Sequence, residues 1–263
     1  MIIDTFEKLD RELSFKNEDI TFNCNIPESQ VIKTIDCDIT INGNIEQEVY
    51  IESKTTKQTS SGVWIDDNNV GNIVCRGKMF LNGVDLKQGQ GINTKNYTII
   101  INGNVGNNIN INTHSKIIIK GKIGDSCIIR TKNDDINFMN AGNDNNISTS
   151  NGDITFMNIG CNNTIFTSNS KISCRDIGVG NTLNTSNGGV YCENIGEHSV
   201  IFTSNASVKF KNSSKNVSIK TSNGNISGQT TEKNVILKSS NGNIKIDNYE
   251  DKTKFSTSNG RIC

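Results

Sequence analysis

The chain has 263 residues, with 27 basic and 27 acidic side chains. Zero net charge shows neither the basic excess of a nucleic-acid surface nor the acidic excess of a cation sink. No run of about 18 apolar residues is present, and the opening M-I-I-D-T-F-E-K-L-D-R-E-L lacks the basic and apolar regions of a cleaved export signal. These features predict a cytoplasmic protein with no membrane insertion and no nucleic-acid partner. Roughly 40 residues are Asn and about as many are Ile, against 23 Gly and a single Pro. Ile suits a pleated surface and Asn tolerates tight turns, so the composition predicts many short strands joined by turns.

In chain order, residues 1–22 read as an N-terminal cap. Phe6, Leu9 and Leu13 stand at i, i+3 and i+7 behind Asp4 or Thr5, a spacing that predicts a short amphipathic helix over 4–13. Such a helix would cover the open first rung of a repeat. Residues 23–94 carry strand-like segments such as I-T-I-N-G-N-I at 39–45, with insertions expected near 54–58 and 85–91. Residues 95–263 repeat regularly and continue the same domain.

The repeat is 18 residues long. T-S-N-G begins at Thr149, Thr185, Thr221 and Thr257, with variants at Thr167, Thr203 and Ser239, and the phase extends back to Thr131, Thr113 and Thr59. Counting that Thr as the first position, the sixth column is Ile100, Ile118, Ile136, Ile154, Ile172, Val190, Val208, Ile226, Ile244 and Ile262. It is expected to point inward. The seventeenth column (Ile147, Ile165, Leu183, Ile201) and the eighth (Phe138, Phe156, Cys174, Cys192, Phe210) are further core columns, and Trp64 falls in the sixth column counted from Thr59. Period-two alternation turns the Thr inward and the following Ser outward.

These columns predict an all-β, single-chain, three-sided parallel β-helix whose like residues stack about 4.8 Å apart. Intervals of five, six and seven residues between core columns favour a right-handed coil over the even six-residue spacing of left-handed hexapeptide acyltransferases. The third column (Asn133, Asn151, Asn169, Asn187, Asn205, Asn223, Asn241 and Asn259) is expected to form a structural asparagine ladder, each amide donating to one rung and accepting from the other.

Chemistry is sparse. His114 and His198 occupy different columns, and no Ser/His/Asp arrangement can be assembled. Asp134, Asp135 and Asp144 read as solvated turn residues rather than a calcium site, and no cofactor is implied. Cys174 and Cys192 lie one repeat apart and are expected to stack as buried thiols, since no C-x-x-C pair or neighbouring His marks a zinc site. The chain is therefore read as no enzyme.

Charge is segregated. Residues 1–60 hold 6 basic and 12 acidic side chains, whereas residues 203–263 hold 10 basic and 4 acidic. The final rung, with Thr257, Asn259, Arg261, Ile262 and Cys263, is expected to be an uncapped end able to contact another copy or another protein.

The recurring S-N-G-[DN]-I followed by a strand and I-G resembles the adhesin-like β-solenoids of bacteria, and the I-x-I-x-G-x-I segment at 39–45 is similar to the strands of bactofilins, polymer-forming cytoskeletal β-helices. The bactofilin resemblance implies filaments or a scaffold; the adhesin resemblance implies a surface role. The resulting expectation is a structural protein that self-assembles or docks partners through its ends and faces, with the outward Ser column of a carbohydrate- or protein-binding module as the alternative.

Overall fold

The structure is a computed structural model. It describes all residues except 7–9, 19, 25–26, 28–29, 36–38, 42–49, 55–61, 67–72, 76–77, 83–90, 95–98, 102–103 and 115. The chain divides into two compact units, Met1–Thr131 and Lys132–Cys263.

The second unit is a parallel β-solenoid with the expected period. Ile154 pairs with Ile172, Ile172 with Val190, Val190 with Val208, Val208 with Ile226 and Ile226 with Ile244, each 18 residues on. Each rung holds a six-residue strand, such as Ile154–Ile159, and a four-residue strand, such as Thr164–Thr167. In the longer strand the buried positions are Ile154, Phe156 and Ile159, and the backbone pairing skips Met157. The break in period two bends the strand there, so two of the three expected straight pieces run on as one strand. Parallel pairing forces this architecture to bury both strands' inner faces. Ile147, Ile165, Leu183, Ile201, Ile219 and Leu237 are fully buried in one column, and Ile136, Ile154, Ile172, Val208, Ile226 and Ile244 in another.

Buried polar groups hold the rungs in register. The inward Thr185 hydroxyl donates to the Ser170 carbonyl of the preceding rung and accepts from its own Gly188 N–H, both at 3.1 Å. The same donation recurs from Thr149, Thr167, Thr203, Thr221, Ser239 and Thr257. Gly188 packs so closely that a Cβ would lie 1.7 Å from the Ser170 oxygen. One residue per rung takes the left-handed conformation, among them Asp144, Asn162, Gly180, His198, Asn216 and Asn234. That column, not the Asn-Gly of the T-S-N-G turn, is where the tolerance of Asn and Gly for positive φ is used.

The first unit is built from the same parallel ladders at uneven spacing. Ile2 pairs with Thr21 and Ile20 with Ile39, giving 19-residue rungs; Ile39 pairs with Val63 and Val63 with Met79, a 24-residue rung followed by a 16-residue one. The expected insertions lie outside the described residues.

No helix occurs among the described residues, which corrects the expectation for 4–13. Ile2–Ile3 is already a strand paired to Ile20–Phe22, and Leu13 lies in the strand Glu12–Lys16. Phe6 stacks on Phe22 with ring centroids 5.5 Å apart. The spacing is therefore not that of a helix running through Leu13, which lies in a strand.

The sixth column also slips by one residue in this unit. Ile117 and Ile119 are buried at 0% and 1% exposure, while Ile118 is half-buried. Thr113 stands four residues before Ile117, whereas Thr131 stands five before Ile136; the strand Ile117–Ile123 is one residue longer than its counterparts and restores the phase. Backbone register places Trp64 opposite Thr40 and Phe80, in line with half-buried Thr21 and Ile118 rather than with buried Phe22 and Ile119.

Candidate docking face

The four-residue strands of the second unit alternate strictly. In Thr164–Thr167 the inward residues are Ile165 and Thr167, leaving Thr164 and Phe166 outward and Ser168 at the following turn. Seven such rungs present 21 outward positions, and none is Asp or Glu. The eleven carboxylates of residues 132–263 all lie on other sides of the rungs. The face carries Phe166, Asn184, Phe202, Lys220 and Lys238 in one in-register column. The flanking column is the outward Ser150, Ser168, Ser186, Ser204, Ser222, Ser240 and Ser258.

Backbone N–H groups continue along that Ser column, from Ser186 to Ser168 at 3.2 Å and from Ser204 to Ser186 at 3.2 Å. The Ser hydroxyls themselves have no partner among the described residues. They remain able to donate and accept.

The asparagine ladder is present in full. Asn151 donates to Asn133, Asn169 to Asn151, Asn187 to Asn169, Asn205 to Asn187, Asn223 to Asn205, Asn241 to Asn223 and Asn259 to Asn241, at 2.6–3.1 Å. Every amide nitrogen points to the preceding rung, so the ladder has one direction. It is exposed, and its capacity is spent between rungs.

Two further ladders went unnamed in the sequence reading. Asn163 is buried at 1% exposure; its Oδ1 accepts from the Asn145 N–H and its Nδ2 donates to Asn181 Oδ1. Asn181 in turn donates to the carbonyls of Gly160 and Gly178. The signal was available, because position fifteen shares a face with the buried seventeenth and first. On the six-residue strand, Asn158 donates to Asn140, Asn194 to Asp176 and Asn212 to Asn194. The Asn194 amide, with Arg175 beside it, holds the Asp176 carboxyl below its ordinary range.

Cys174 and Cys192 are joined as a disulfide across adjacent rungs, with Cα atoms 4.8 Å apart. This replaces the expected pair of thiols: direct rung neighbours fall within the Cα separation a disulfide spans. Cys127 is fully buried, and burial pushes its thiol pKa up.

A shallow groove of about 290 Å³ opens on the six-residue strands, lined by Tyr191, Lys209, Lys211, Ser227, Lys245 and Asp247. It lies beside Gly228, where the eighth column lacks a side chain and Phe210 fills the space. Lys211 is held to Glu193 at 2.6 Å, a bond that raises the lysine's pKa.

The last rung places its predicted residues as follows. Thr257 is half-buried and bonded to Gly242 O at 3.0 Å, Asn259 ends the ladder, and the Arg261 N–H donates to Asn243 at 2.8 Å. Ile262 bridges to Ile244 yet is 53% exposed, and Cys263 is exposed with its N–H on Ile244 O.

Among the described residues no three His, Cys, Asp or Glu side chains gather as a metal site, and no helix is long and apolar enough to cross a membrane. Compared with known proteins, the chain matches no family model, no curated protein and no solved structure.

Proposed function

We propose that this protein is a non-catalytic scaffold that docks a partner on the outward face of its four-residue strands. One observation carries the reading: 21 outward positions on a rigid parallel ladder hold no carboxylate, while free Ser hydroxyls and two Phe rings recur at fixed rung intervals. A pre-ordered face loses little entropy on binding, and repeat architectures present extended surfaces of this kind.

The test is a binding screen against a polysaccharide panel, comparing the native protein with Phe166→Glu/Phe202→Glu and with Thr155→Glu/Ser173→Glu on the opposite strands. The reading predicts that the first variant loses whatever interaction is found and the second keeps it. Interaction indifferent to the first variant, or no interaction at all, contradicts it.

A further inference from the structure

Lys220 and Lys238 are direct Cα partners on adjacent strands, and Lys254 lies diagonally beyond Lys238 on the next. All three are exposed and none has an ion-pair partner among the described residues. Like charges directly opposite one another destabilise a sheet. Elsewhere in this unit three lysines pair with a carboxylate: Lys171 with Asp153, Lys211 with Glu193 and Lys215 with Glu197. On this face no outward position supplies one.

Next to the lysines the same column continues through Phe202, Asn184 and Phe166, bordered by the free hydroxyls of Ser186, Ser204 and Ser222. Three cations on one strip, followed by rings, an amide and hydroxyls, suit a linear polymer that carries both negative charge and many hydroxyls. A single nucleic-acid strand is gripped by basic grooves that track its backbone, with stacking rings among the cations; here the three lysines cluster at one end of the column and the rings lie beyond them. An anionic lipid surface recruits clusters of about four to eight basic residues, more than this strip offers.

We infer that Lys220, Lys238 and Lys254 form the anchoring end of a binding strip for a linear acidic polysaccharide. Its carboxylate or sulfate groups meet the lysines, and its sugar rings lie along Phe202 and Phe166 with hydroxyls on the Ser column. The inference rests on the docking reading above and adds its occupant.

The experiment measures binding of polygalacturonate to the 263-residue chain at low salt. Lys220→Gln/Lys238→Gln/Lys254→Gln is compared with Lys209→Gln/Lys233→Gln/Lys245→Gln, which removes the same charge from other sides, and circular dichroism confirms that both fold. Neutral dextran and single-stranded DNA serve as competing ligands. The expected result is at least a tenfold loss for the first variant, less than a threefold loss for the second, and weaker binding of both competing ligands. Equal loss in the two variants, tighter binding of DNA, or no binding of polygalacturonate overturns the inference. If polygalacturonate fails while a neutral polysaccharide is lost on Phe166→Glu/Phe202→Glu, the docking face stands and only its acidic occupant falls.

Discussion

The hydroxyl of Thr185 donates to the carbonyl of Ser170, 15 residues earlier, at 3.1 Å. Since it also accepts from Gly188 N–H, this side chain closes two buried backbone groups from adjacent rungs. Thr185→Val keeps the volume but leaves both groups unpaired, at about 1–3 kcal/mol each. The expected loss is about 2–6 kcal/mol in urea denaturation, while Thr185→Ser, which keeps the hydroxyl as Ser239 does, loses about 1 kcal/mol for a methyl group. Equal losses would show that packing rather than the bond holds this column.

Two of the ladders should differ sharply. Asn163 is buried, and Asn163→Ala takes the Asn163 Oδ1 acceptor from the Asn145 N–H, while Asn181 Oδ1 keeps the bond from the Asn163 backbone N–H, an expected cost of about 1–3 kcal/mol. Asn187 lies on the surface, where water replaces its partners, so Asn187→Ala should cost less than about 1 kcal/mol. Chemical denaturation of the two variants checks the order.

Asp176 gives a pH signature. Its folded pKa is lowered by the Asn194 bond first and by Arg175 after it, so its contribution is present above the ordinary carboxylate pKa and is lost as pH falls through the lowered value. Native protein should therefore lose stability between about pH 5 and pH 2 more steeply than Asp176→Asn, which lets the Asn140–Asn158–Asn194 ladder continue uncharged. Parallel acid limbs for the two proteins would place the carboxyl outside the ladder.

The joined pair Cys174 and Cys192 predicts that at least two of the eight Cys fail to titrate as thiols in protein denatured without reductant. Peptide mapping should link the segments around those two residues. Eight thiols would return the column to the stacked pair that the sequence suggested.

The period and both main core columns of the second unit were legible because Ile recurs where only an inward position tolerates no polar residue. The Asn133 to Asn259 ladder was legible for a similar reason: one amide per rung, at a turn. The buried Asn163 was harder to see, since Asn162 and Asn163 are adjacent and one adopts positive φ while the other bonds between rungs; identical side chains hide different tasks. The slip at Ile117 was masked by three consecutive Ile, any of which satisfies a hydrophobic column. The helix over 4–13 failed because i, i+3, i+7 spacing over so few residues does not distinguish a helical face from other arrangements, and Leu13 lies in the strand Glu12–Lys16. The disulfide was open to geometry but not to composition, because stacked thiols and a bonded pair share one sequence. The docking face emerged only once parity assigned every carboxylate to another side.

Everything depends on residues 18 apart touching in file. Methyl NMR on Ile-labelled protein tests this directly: Ile154 should show cross-peaks to Ile136 and Ile172, and Ile226 to Ile244, as their pairing requires. Cross-peaks from Ile154 to sequence neighbours alone, with none to residues 18 positions away, would contradict the stacked rungs and the face they build.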